Sequence, residues 1–160
     1  DPGLAFGTGT HATTALCLEW LDNADIEGKT VLDLGCGSGI LGIAALKLGA
    51  KSVMAVDIDP QALTATRHNA LANDVLDRLE TAECLTTGNR YDFVLANILA
   101  RILLEQCGAI CAAVNPGGAL VLSGILDHQV ADMMAAYSPH IAFTSRSGRD
   151  DWACLSGTAS

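Results

Sequence analysis

The chain is predicted to fold as an α/β protein on a doubly wound, mostly parallel seven-stranded sheet that ends in an antiparallel hairpin. Three observations carry this expectation. Strand and helix signals alternate along the 160 residues, and the strands are nearly continuous apolar runs, as expected when both faces of a sheet are covered. The last two strands are joined by too few residues for a crossover, so they must pair antiparallel.

Residues 1–11, Asp1-Pro2-Gly3-Leu4-Ala5-Phe6-Gly7-Thr8-Gly9-Thr10-His11, precede any periodic segment and read as a functional loop. A helix is expected from Ala12 to Asp22, with Leu16, Cys17, Trp20 and Leu21 on one face. The first strand follows at Thr30–Leu34 and runs into Gly35-Cys36-Gly37-Ser38-Gly39. Leu41, Ala44, Ala45 and Leu48 then recur with helical period, and Gly49 stands where a C-terminal cap belongs. A second strand covers Ser52–Val56, and Pro60 opens a helix over Gln61–Asn73, since proline is well tolerated in a first turn. Strands three and four are assigned to Arg78–Ala82 and Tyr91–Ala96.

Leu103, Cys107, Ile110, Cys111 and Val114 make one stripe, which predicts a single helix terminated by Asn115-Pro116-Gly117-Gly118. A fifth strand spans Ala119–Ser123, and Val130, Met133, Met134 and Tyr137 mark the last helix. The closing strands fit His140–Thr144 and Trp152–Gly157, with Ser145–Asp151 as the loop between them.

Composition narrows the class. Half of the residues are apolar, enough to bury one core, so residues 1–160 are taken as a single domain. No apolar run reaches the ~18 residues of a membrane helix and no signal-peptide layout is present, which makes a cytoplasmic location the expectation. The net charge of −9 argues against direct contact with nucleic acid and suits a basic protein partner or a small cation, or serves solubility alone. The six cysteines lie scattered with no C-x-x-C pair, and read as reduced core thiols rather than a metal site or disulfides. His68, His128 and His140 read as surface or helix-end residues, and Trp20 and Trp152 as core packing.

The glycine turn is the chemical centre of this pattern. Alternate glycines let the backbone turn sharply and approach a ligand where a Cβ would collide, at a helix N-terminus whose N–H groups are unpaired. Gly37-Ser38-Gly39-Ile40-Leu41-Gly42 also fits a dinucleotide fingerprint, and Asp57, 22 residues beyond Gly35, suits a ribose in either kind of cofactor. Three features separate the two. Asp33 is a carboxylate inside an apolar strand and needs a partner, either a ligand or neighbouring backbone N–H groups. Asn97, at the end of the fourth strand, offers an amide oxygen to an amine, where the bland reading is a turn residue. The closing hairpin completes a seven-stranded sheet.

Asp33-Leu34-Gly35-Cys36-Gly37-Ser38-Gly39, Asp57, Asn97 and Asn115-Pro116-Gly117-Gly118 together resemble the motifs of class I methyltransferases that use S-adenosylmethionine. More narrowly, the leader Asp1–Thr14, Leu16–Leu21 and Asn97-Ile98-Leu99-Ala100 are similar to the family that methylates large-subunit ribosomal protein eleven. The resemblance spans nearly the whole chain, departs at Ala12 where proline is common, and lacks the small amino-terminal domain that recognises the substrate. It implies a methyltransferase Rossmann-like fold, S-adenosylmethionine as cofactor with S-adenosylhomocysteine as product, and N-methylation of lysine side chains or the α-amine of a basic ribosomal protein.

The cofactor contacts so implied are Phe6, Thr10, Thr14, Asp33, Gly35, Gly37, Gly39, Asp57, Ile58 and Asn97. Asn97 and His11 are the catalytic candidates, with Phe6, Thr10 and His11 as a lid. No metal is called for. Against a base-methylating enzyme stands Ile98-Leu99-Ala100, which offers no aromatic to stack on a base. A nicotinamide oxidoreductase lacks a proton-donor pair beyond the fourth strand. A small-molecule N-methyltransferase and an inactive cofactor-binding module complete the alternatives.

Overall fold

In the computed structural model the chain is described from residue 10 onward, with side chains from residue 12. The expectations for Phe6, Thr10 and His11 as side chains therefore lie outside the described residues. In chain order the elements are α1 (Thr10–Asp22), β1 (Thr30–Leu34), α2 (Ile40–Lys47), β2 (Ser52–Val56), α3 (Pro60–Ala72), β3 (Leu79–Ala82), β4 (Tyr91–Asn97), α4 (Ala100–Glu105), α5 (Cys107–Ala112), β5 (Val114–Leu126), α6 (Val130–Tyr137), β6 (Ile141–Arg149) and β7 (Trp152–Ala159). The strands form one sheet in the order β3-β2-β1-β4-β5-β7-β6. The first five are parallel, and β7 pairs antiparallel with both β5 and β6. Class and topology are those read from the sequence.

Period-two alternation sorts the strand residues onto two buried faces. Val31, Val53, Ala55, Leu95, Val121 and Cys154 share one core with Leu16, Cys17 and Leu21 of α1, Leu41 and Leu46 of α2 and Leu63 of α3. Leu32, Val56, Val94, Ala96, Leu120 and Leu122 share the other with Leu103, Ile110 and Tyr137 from α4, α5 and α6. Trp20 packs edge-to-face on Phe93 at 5.6 Å, in the core role expected of it. Because the chain leaves β1 toward β2 and β3 and then returns to place β4 on the other side of β1, a crevice opens between the carboxyl ends of β1 and β4.

Three expectations are corrected. The stripe from Leu103 to Val114 is two short helices rather than one, broken at Gln106 (φ −99°, ψ 12°), and its last residue, Val114, opens β5. Beside the break the Tyr137 hydroxyl donates to the Leu103 carbonyl at 2.6 Å, and the Cys107 thiol reaches the Ala136 carbonyl, so α6 holds both helices.

Nor does Asn115-Pro116-Gly117-Gly118 cap a helix; it lies within β5. Asn115 Nδ2 donates to Asp92 Oδ1 at 3.1 Å, while Asp92 Oδ2 accepts from Thr30 N–H at 3.0 Å and from its hydroxyl at 3.2 Å. The Thr30 backbone bond, ahead of the Asn115 amide and the Thr30 hydroxyl, holds the Asp92 carboxyl below its ordinary range. A Cβ on Gly118 would stand 2.7 Å from the Asp92 carbonyl, so only glycine seats there. The segment stitches β1, β4 and β5 together at their amino ends.

The loop expected at Ser145–Asp151 is mostly strand. β6 continues to Arg149, and the turn is Asp150-Asp151 with φ of 51° and 67°. Both central residues of a type I′ hairpin turn need positive φ, which aspartate tolerates. The polar run was misleading because β6 is the sheet's exposed edge. Among the thiols, Cys17, Cys36 and Cys154 are buried as expected, Cys107 and Cys111 are half-buried, and Cys84 is exposed. No helix among the described residues is long and apolar enough to cross a membrane.

Candidate active site

A cavity of about 860 Å³ occupies the crevice beyond β1 and β4. Of the residues nominated from sequence, Thr14, Gly35, Gly37, Asp57, Ile58 and Asn97 all line it. The glycine turn that forms its floor is held from several sides. Gly35 and Cys36 both donate to the Val56 carbonyl, at 2.8 and 3.0 Å. Gly37 N–H donates to Asp57 Oδ2 at 3.0 Å. Gly35 has φ +75°, and a Cβ there would fall 2.2 Å from Ile98 Cγ2, so this position requires glycine for both conformation and space.

Two residues of α3 that the sequence reading passed over complete the support. Thr66, fully buried, donates its hydroxyl to the Gly37 carbonyl at 2.9 Å, and Asn69 Nδ2 donates to the Ser38 carbonyl at 2.9 Å. The available signal was helical spacing. Asp59 caps α3 by accepting from Gln61 N–H, and counting on from Pro60 puts Thr66 on the same buried face as Leu63 and Ala70.

Asp57 lies one residue past β2 with both carboxylate oxygens engaged, Oδ2 by Gly37 and Oδ1 by Asp59 N–H at 3.0 Å. An ionised carboxylate offers about four acceptor positions, so each oxygen keeps room for a further donor from the cavity side. Ile58 stands beside it with 85 % of its surface exposed, an apolar side chain at the lip of the cavity. Asn97 closes β4 in register with Ser123 of β5, and α4 begins three residues later. Glu83, Cys84 and Leu85, past the end of β3, also line the cavity, together with Arg101, Ile102 and Glu105 from α4. The Arg101–Glu105 pair, at 3.1 Å, is exposed.

Asp33 and Gly39, nominated as cofactor contacts, are placed behind the floor and are not among the lining residues. Gly39, with φ +87°, is the N-cap of α2 and supplies no side-chain cap; a Cβ there would collide with Thr66. Asp33 supplies the missing acceptor from the strand, taking Gly42 N–H on Oδ2 at 3.0 Å. It is 1 % exposed, and burial pushes its carboxyl up from 3.8 to about 7, the Gly42 bond opposing and the charge of Asp57 adding. Cys36 is likewise raised to about 12, by burial first and then by Asp33, which keeps it a protonated thiol and not a nucleophile.

The Asp33 shift has a stability consequence with a definite sign. Below 3.8 both folded and unfolded chains carry the proton; between 3.8 and about 7 only the folded chain does, so this contribution to stability falls as pH rises through that window. Asp33→Asn keeps an oxygen for Gly42 N–H and removes the titration. Thermal melts from pH 4 to 8 should fall less steeply for the variant, which should melt above wild type at the alkaline end. Parallel curves would mean that Asp33 is ionised throughout.

With this geometry in place, comparison with known proteins is informative. A family model described as ribosomal protein L11 methyltransferase (PrmA) matches residues 1–160. Curated ribosomal protein L11 methyltransferases from Tolumonas auensis and Photobacterium profundum are 52 % and 53 % identical over 98 % of the chain. The chain spans about half of those relatives, 54 % of their length.

Among solved structures, a ribosomal protein L11 methylase from Lactobacillus delbrueckii subsp. bulgaricus superposes with a TM-score of 0.85 at 32 % identity, covering 92 % of this chain and 78 % of that one. An N-methyltransferase, NodS, from Bradyrhizobium japonicum, solved with S-adenosylhomocysteine, shares the fold with a TM-score of 0.78 at 14 % identity, covering 99 % of this chain and 92 % of that one. Matched by the family model from first residue to last, and more than half identical to curated relatives, the chain belongs to the ribosomal protein L11 methyltransferase family.

Proposed function

We propose that this chain is the S-adenosylmethionine-binding catalytic part of a protein N-methyltransferase whose acceptors are amines of a basic large-subunit ribosomal protein. The observation that carries the reading is the convergence of Gly35, Gly37, Asp57 and Asn97 on one cavity, in a chain of this family. The residues fit the cofactor. Gly35 leaves the floor bare where a Cβ would stand, Asp57 keeps acceptor capacity for two ribose hydroxyls, and Ile58 presents an apolar face for the adenine. Thr14 and Asn97 also line the cavity.

When bound, the cofactor supplies an activated methyl group, so the protein's task is alignment more than acid–base chemistry. Asn97 suits that task at the end of β4, where its amide oxygen can accept an N–H of the incoming amine and turn the lone pair toward the cavity. The amine must first be neutral. An α-amine near pKa 8 is far closer to that state than a lysine near 10.4, and exclusion of water from the cavity favours the neutral form of either. His11 is the candidate to take the proton. Recognition of the ribosomal protein falls in part to the portion of the longer relatives that this chain does not span. The reaction belongs in the cytoplasm, where ribosomal proteins are made.

The test is incubation of the longer protein that contains this chain with the purified ribosomal protein and S-adenosylmethionine, followed by intact-mass and peptide mass spectrometry. Methyl groups on amines support the reading, and an unmodified substrate in the presence of bound cofactor removes it. Asn97→Ala should lower turnover on the order of a hundredfold, the scale of a lost orienting contact, with a much smaller change in cofactor affinity. Equal losses in both would make Asn97 a cofactor ligand only.

A further inference from the structure

Ser123 is an anomaly in β5. Its neighbours Leu120, Val121, Leu122 and Ile125 are apolar and fully buried, and Ser123 is fully buried with them. Burying a hydroxyl there costs free energy that an alanine would not incur, and a hydrogen bond must offset it. That bond runs from Ser123 Oγ to the Thr13 carbonyl at 3.2 Å, joining positions 110 residues apart. Thr13 is next to Thr14, which lines the cavity from the first turns of α1, and across the β4–β5 ladder Ser123 is the register partner of Asn97. One hydroxyl thus links the two walls of the cavity.

The surroundings leave it little freedom. On the α1 side Ser123 also faces the buried thiols of Cys17 and Cys154, so α1, β5 and β7 meet at this point. The next residue, Gly124, has φ +82°, and a Cβ on it would stand 2.6 Å from the Ile98 carbonyl. Residues 123 and 124 therefore touch both α1 and the Asn97-Ile98 turn.

We propose that Ser123 is a positioning residue: its hydroxyl sets the first turns of α1, and with them Thr14, at the distance from Asn97 that the cofactor and its acceptor require. The inference rests on the function proposed above. It assigns Ser123 no contact with either substrate; it acts through α1.

The test compares Ser123→Ala and Ser123→Thr in the longer protein. The alanine variant should weaken S-adenosylmethionine binding about fivefold, the scale of one hydrogen bond, and lower kcat/KM for the ribosomal protein by more than that, while Tm changes little. The threonine variant, which keeps the hydroxyl, should restore most of the affinity. Amide exchange in the first turns of α1, followed without cofactor, should quicken in the alanine variant alone.

An alanine variant with wild-type affinity and wild-type exchange overturns the proposal. So do alanine and threonine variants impaired alike, because side-chain volume and not the hydroxyl would then be what matters. If wild type itself fails to bind S-adenosylmethionine, it is the proposed function that fails, and the exchange measurement still decides whether Ser123 fixes α1.

Discussion

Replacing Asp57 by alanine is expected to weaken S-adenosylmethionine binding by roughly two orders of magnitude, the largest effect on affinity of any single change in the cavity. Two losses combine. Hydrogen bonds to a charged acceptor contribute about 1.5–3 kcal/mol each, and the two ribose hydroxyls proposed to meet Asp57 would lose theirs together, about 3 kcal/mol or more. Gly37 N–H and Asp59 N–H also lose their acceptor, so the glycine turn and the start of α3 are freed where the cofactor must lie. Asp57→Asn should fall between, since an amide keeps one acceptor oxygen and turns a donor toward the other N–H. Titration calorimetry measures this directly, and an affinity within threefold of wild type would mean that another residue holds the ribose.

Gly35→Ala is expected to damage fold and function together. An L-residue at φ +75° costs roughly 1–2 kcal/mol before any collision. The new Cβ would then meet Ile98 Cγ2 at 2.2 Å, so the Ile98 side chain or the turn itself must shift. A total near 3 kcal/mol corresponds to a fall in Tm of about 6–12 °C for a chain of this size, with cofactor affinity and turnover both reduced. Ile98→Ala removes the obstructing methyl. In the double variant part of the stability should return, and melting curves of the four proteins in the cycle measure how much. A double variant no more stable than Gly35→Ala alone would assign the loss to backbone strain and not to the contact with Ile98.

Legibility from sequence was high where one local signal had one meaning. β1 and β2 begin and end at the residues read from the apolar runs, and α6 falls on its stripe. It was poor where a local signal had two outcomes and tertiary contacts chose between them. Asn115-Pro116-Gly117-Gly118 has the composition of a helix stop, yet Asp92 and Thr30, distant in sequence, draw it into a strand. Leu103 and Cys107 keep helical spacing across Gln106, and periodicity cannot register a break that preserves phase.

The site divides in the same way. Motif residues at strand ends, namely Gly35, Asp57 and Asn97, were placed correctly around one crevice because topology alone brings such ends together. For Asp33 the sequence showed a buried carboxylate in need of a donor and left open a ligand or a backbone N–H; the donor the structure shows is Gly42 N–H. Thr66, Asn69 and Ser123 were missed for the opposite reason. They act by hydrogen bonds to backbone carbonyls distant in sequence, and no spacing along the chain announces these.

The knot of Asp92, Thr30 and Asn115 bears on how the protein opens. It fastens three neighbouring strands at the end of the sheet opposite the cavity, while at the cavity end β1 and β4 run out into turns. Local opening at the strands' carboxyl ends can therefore occur without breaking this knot, and without drawing on the global stability of the sheet. Amide exchange should be graded along each central strand, slowest beside Asp92 and fastest toward Asn97, and uniform protection along β1 and β4 would show that the knot fastens no one end more than the other.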